Sequence, residues 1–212
     1  IGKENFYLIG EVTGGRAHAV RILNTTGLDA ALGIDDIQDK MEFLVKGWRS
    51  PGNPLSDEQE GYFDLFKNSL LEGKNTHQWY GKHIVVMFDD HDQVGEKHKF
   101  RFCGQGTDSD KLLKAAIGLN LTSAGIPCIY YGTEQAFNGA DLRRDYDDDD
   151  DATYSDVFLR ECMFGGPFGS SQSTGRHFFN EKHEIYEFIK KVCDLRKEHI
   201  ALRRGRQYLR EV

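Results

Sequence analysis

Three short apolar runs in this chain each deliver chemically capable residues at their far end. Phe6-Tyr7-Leu8-Ile9-Gly10 runs into Glu11, and His83-Ile84-Val85-Val86-Met87-Phe88 runs into Asp89-Asp90-His91-Asp92. Gly125-Ile126-Pro127-Cys128-Ile129-Tyr130-Tyr131 runs into Gly132-Thr133-Glu134-Gln135. A carboxyl at the end of a buried strand is partly desolvated, which favours its neutral form and suits a general acid; this is the expectation for Glu11. Position alone fits better a strand-end Glu that makes a salt bridge or caps the next helix. Asp92 can accept from two substrate hydroxyls and His91 can donate to a neighbouring one. Asp89, Asp90 and Asp92 concentrate like charge at a cost, and such clusters persist where a cation, another residue or a ligand compensates; a solvated acidic turn fits these residues about as well. Tyr130 and Tyr131 can stack on a sugar ring through an apolar body with a polar tip, and core packing is the expectation for one of the two.

Groups on separate runs meet only if the fold aligns the ends of those runs. Each run is β-branched or aromatic and bounded by turn residues, the pattern of a fully buried strand. Helical spacing lies between them, so a parallel α/β sheet is expected. Helices are predicted over Arg16 to Leu23, Asp35 to Gly47, from the Ser56/Gln59 capping box to about Leu71, Ser109 to Ala124, and His183 to His199. A short strand is expected at Gly27 to Leu32, and a turn at Tyr80-Gly81-Lys82 before the strand from His83. In the helix from His183, Ile185, Phe188, Ile189, Val192 and Cys193 fall on one stripe. The basic tail from Ala201 is expected to begin a further strand. The segment from Asn138 to Ser155 is strongly acidic, and with the Gly- and Ser-rich stretch through Gly175 it forms a long excursion after the third strand.

With 212 residues the chain can build one sizeable core, but an eight-unit barrel typically needs ~250 residues. It begins at Ile1 with a strand close behind, which suggests a piece of something longer. A net charge of −7 argues against a nucleic-acid partner, and no apolar run approaches the ~18 residues of a membrane span. Cys103, Cys128, Cys162 and Cys193 lack metal-ligand spacing and read as buried, reduced thiols. Asp145 to Asp151 could offer carboxylates to Ca²⁺ but lacks EF-hand spacing, so a solvated loop is the simpler expectation.

The three runs, in this order, resemble the α-amylase superfamily, glycoside hydrolase family 13. Phe6 to Val12 resembles the fifth-strand motif that carries the general acid, and Phe88-Asp89-Asp90-His91-Asp92 resembles the Phe-x-x-Asn-His-Asp motif after the seventh strand. Gly125 to Gln135 resembles the eighth-strand motif, the most specific of the three. The resemblance implies strands five to eight of a (β/α)₈ barrel over residues 1–200, with 201–212 leading into a C-terminal β domain not present. It implies that Glu11 is the acid/base and Asp92 the third catalytic carboxylate. His91, Tyr131 and Glu134 would bind substrate, an α-glucan or maltooligosaccharide. Hydrolase, transglycosylase and a silent glycan- or partner-binding protein all fit it. It implies no cofactor in this chain and leaves Ca²⁺ open for the parent enzyme. Three departures stand out. The Gly-x-Arg-x-Asp pattern of the fourth-strand nucleophile and the first-strand Asp/Asn-His motif do not occur here, and Asp90 stands where the family has Asn, an added charge that could raise the pKa of a neighbouring carboxyl or signal altered specificity. A half-barrel would expose strand edges and pair with its missing half or with itself.

Overall fold

The computed structural model describes residues 6–46, 76–92, 101–104, 109–138, 156–164 and 179–207. The helix expected from Ser56 to Leu71 and the acidic and Gly-rich excursion lie outside these residues. Four short strands, β1 (Ile9–Glu11), β2 (Ala30–Leu32), β3 (Val85–Val86) and β4 (Ile126–Pro127), alternate with helices. β1 pairs in parallel with β2, Ile9 opposite Ala30, and β3 in parallel with β4, Val85 opposite Ile126. A parallel bridge between Ala31 and Ile84 joins the two pairs, so the strands lie in sequence order. The expected α/β class with parallel strands is therefore present. Among the described residues the strands do not close into a barrel.

Parallel neighbours need a crossover, and helices supply it. α1 (Arg16–Thr25) follows β1 and buries Arg16, Ala19, Val20 and Leu23, one stripe at i, i+3, i+4 and i+7. α2 (Asp35–Lys46) follows β2 and buries Ile37 and Met41. α3 (Thr76–His83) leads into β3, and α4 (Ser109–Thr122) leads into β4 with Leu113, Ala116, Ile117 and Leu121 buried. α5 (Glu184–Glu198) and α6 (Ile200–Arg204) close the described chain. His183 caps α5 by accepting the Ile185 amide at 3.3 Å, and the stripe expected on this helix packs into the main core. Arg196 donates to the carbonyls of Leu121 and Leu202, tying the ends of α4 and α6 together.

Successive strand residues serve opposite faces. Ala31, Ile84, Val86 and Phe88 join the helices in one core, whereas Ala30, Val85 and Met87 form a second cluster with Leu32, Ile126 and Cys128. Burial on both faces explains why these strands read as unbroken apolar runs. Pro127 fits this arrangement because the amides of Ile126 and Cys128, not its own nitrogen, donate to Ile84 and Val86.

Three expectations are corrected. Tyr80-Gly81-Lys82 is helical and α3 runs through His83, so the strand begins later than His83. Residues 200–204 are helical rather than extended. The four cysteines, outside any disulfide, are partly buried rather than fully so. Among the described residues, no helix is long and apolar enough to cross a membrane.

Candidate functional site

Because the four strands are parallel, their C-terminal ends share one edge, and the polar residues that follow them collect there. Glu11 closes β1, and His91 and Asp92 follow β3. His91 Nε2 lies 3.3 Å from Glu11 Oε1. One ligand-type atom from each of Glu11, His91 and Asp92 lies within 4.8 Å of the other two. Both members of the Glu11–His91 contact remain open to solvent, with side chains 41% and 38% exposed. The desolvation expected of Glu11 from its strand-end position is thus not what the fold provides, and the carboxylate faces an accessible rim. Three such donors could also meet on one cation, and they equally suit the hydroxyls of a bound ring.

A turn presents this pair of residues. Asp90 Oδ1 accepts the Asp92 amide at 3.0 Å, the side-chain-to-backbone bond that Asp uses to start a turn. Asn would supply the same acceptor without the charge.

Asp89 has another role. It is buried, its Oδ1 accepts the Phe102 amide at 3.1 Å, and its Oδ2 accepts the Thr133 hydroxyl at 3.2 Å. Burial pushes its pKa above the ordinary carboxylate range against the opposing pull of Arg101, and Asp90 adds a smaller upward push. The extra charge at Asp90 therefore acts on a neighbouring carboxyl as the sequence suggested.

Among the described residues Arg101 is a cation that pairs with the aspartate cluster, through Asp89, and sequence reasoning did not single it out. Its side chain is fully buried. Nε lies 3.6 Å from Asp89 Oδ2 and 4.0 Å from Glu161 Oε1. Nη2 donates to the Tyr131 carbonyl at 2.6 Å and Nη1 to the Leu159 carbonyl at 3.2 Å. The guanidinium sits over the Tyr130 ring at 4.6 Å. Glu161 was missed as well, since it lies far along the chain with no motif around it.

Neither tyrosine is fully buried, and neither joins the core clusters. Tyr130 turns its ring to Arg101 and towards His91, 6.5 Å between ring centroids. Tyr131 packs edge-on against it, donates its hydroxyl to the Glu161 carbonyl at 2.7 Å, and stays 39% exposed. Burial raises the pKa of both phenols, so both remain hydrogen-bond donors. Glu134 lies in a 3-10 turn, Thr133–Gln135, partly exposed and outside the Glu11–His91–Asp92 trio. That turn packs on α5.

A strand-end carboxylate in contact with a histidine, with a second carboxylate beside them, offers acceptors and a donor that suit the hydroxyls of a bound ring. The chain is also similar to known proteins. The chain is 36% identical to the Beta/alpha-amylase of Paenibacillus polymyxa over 104 residues, 49% of this chain and 6% of that protein. It is 28% identical to the Cyclomaltodextrin glucanotransferase of Paenibacillus macerans over 149 residues, 70% of this chain and 16% of that protein. It is 32% identical to the Cyclomaltodextrinase of Geobacillus thermopakistaniensis (strain MAS1) over 103 residues, 49% of this chain and 13% of that protein. These relatives are all members of glycoside hydrolase family 13, the α-amylase superfamily, and the chain is similar to them at modest identity over part of its length. It spans at most 16% of the length of these three proteins. No family model matches the chain.

Proposed function

We propose that this chain forms the C-terminal half of an α-amylase-type (β/α)₈ catalytic domain whose parent acts on α-glucosidic bonds by a retaining double displacement. The observation that carries this reading is the convergence of Glu11, His91 and Asp92 at one strand edge. Four parallel strands in sequence order fit strands five to eight of such a barrel. In this reading Glu11 protonates the leaving oxygen and then deprotonates the incoming acceptor. Asp92 and His91 grip the ring hydroxyls, and Tyr131 and Glu134 extend the glucan contact. A retaining site needs its second carboxyl ~5–5.5 Å from the acid, as nucleophile. The sequence contains no Gly-x-Arg-x-Asp pattern to supply it, so the nucleophile comes from another segment. Water as acceptor gives hydrolysis and a sugar hydroxyl gives transglycosylation. Relatives of both kinds, by their names, accompany the chain.

The partner in this reading is the other half of the barrel or a second copy. Support comes from the exposed apolar approach to β1, where Phe6, Tyr7, Leu8 and Ile9 are all exposed, as expected of a strand edge that pairs with something. The reading is tested by reducing-sugar release from maltoheptaose. The isolated 212-residue chain is expected to release none. Release that disappears in Glu11→Gln would show a complete site within this chain and overturn the half-site account.

A further inference from the structure

We propose that Arg101 is a positioning residue of this site: buried beneath the rim, it sets where His91 and Tyr131 stand without touching substrate. The inference rests on the reading of the rim as a glucan subsite, and its geometric content can be tested apart from that reading.

Arg101 reaches the rim by four routes. It pairs with Asp89, two residues before His91, and the other oxygen of that carboxylate holds the Phe102 amide. It underlies the ring of Tyr130, which faces His91. It holds the Leu159 carbonyl, and the next residue, Arg160, donates from Nε to the His91 carbonyl at 3.0 Å. It also holds Tyr131 directly through the backbone. The segments after β3 and β4 and residues 156–162 thus meet on one planar group. A guanidinium can do this because its donors point in fixed and different directions; an ammonium places the same charge but cannot span separated carbonyls in one plane. The chain leaves room for it at Gly132, where an added Cβ would lie 2.6 Å from Arg101 Nη2. With no exposed surface, Arg101 is excluded from direct contact with a glucan.

The test uses the 212-residue chain with two readouts: the ring-proton NOE between His91 and Tyr130, which needs no ligand, and the Kd for maltoheptaose. Arg101→Lys keeps the charge and is expected to fold, to lose or strongly weaken the NOE, and to raise Kd about tenfold. A folded Arg101→Lys chain with the wild-type NOE and a Kd within about twofold overturns the assignment. If Arg101→Lys does not fold, the triple variant Arg101→Met, Asp89→Asn, Glu161→Gln removes all three buried charges and is read in the same way. Failure of both to fold would make Arg101 a requirement of folding and overturn the positional role. If the wild-type chain binds no maltoheptaose, the glucan reading fails, and the NOE alone decides the role of Arg101.

Discussion

His91 Nε2 stands 3.3 Å from Glu11 Oε1, one residue following β3 and the other closing β1. Strand β2 lies between, so the contact depends on all three strands running in parallel and ending level with one another. A register slip of one residue would turn Glu11 to the opposite face and separate the pair. The contact therefore reports on the fold as much as on the chemistry.

Gly132→Ala is expected to destabilise the chain by roughly 3 kcal/mol, the sum of a left-handed backbone and overpacking. Gly132 has φ +86°, and a Cβ there would run into the Phe137 ring and Arg101. Thermal or urea unfolding measures this. A loss comparable to Gly81→Ala, where nothing surrounds the added methyl, would show that the described packing around Arg101 is wrong.

Lys46 offers a test of buried charge at the back of the site. Its Nζ bonds Glu42 at 2.9 Å and the Phe102 carbonyl at 2.8 Å, and lies 4.0 Å from the centre of the Phe102 ring. Lys46→Met removes its bonds to Glu42 and to the Phe102 carbonyl, an expected cost of about 2–3 kcal/mol. Adding Glu42→Gln should recover a substantial part of it in urea unfolding. Additive losses in the double variant would argue against the pairing.

Asp89 makes stability depend on pH with a definite sign. Its folded pKa is raised above the ordinary 3.8, chiefly by burial, so the folded chain holds the proton more tightly than the unfolded chain. Its contribution is fully present below the ordinary value and is lost as pH rises through the folded value. Asp89→Asn removes this dependence. From about pH 4 to about pH 7 the wild type should lose more stability than the variant. Parallel curves would contradict it.

Much of this arrangement is legible in the sequence. The apolar runs before Glu11, Asp89 and Gly132 mark parallel strands; burial on both faces explains the run before Asp89, whereas the run before Glu11, expected to be fully buried, is exposed from Phe6 to Ile9. The stripe from Ile185 to Cys193 marks α5 equally well. Gly81 misleads: glycine usually punctuates, yet this one has neither a left-handed φ nor a close neighbour, and burial of Tyr80 carries the helix through it. The tail after Ala201 misleads because its helix is held by Arg196, whose bond to Leu202 is tertiary. Arg101 and Glu161 are invisible for the same reason. The aspartate cluster leaves room for a compensating cation, and only folding shows Arg101 against Asp89.

The central claim is that Glu11, His91 and Asp92 form a glucan-binding subsite. Calorimetric titration of the 212-residue protein with maltoheptaose, beside Asp92→Ala, tests it most directly. The account predicts measurable binding by the wild type and at least a roughly tenfold weakening, about 1.4 kcal/mol, in the variant. Binding unchanged by Asp92→Ala, or no binding by a folded wild-type chain, would contradict it.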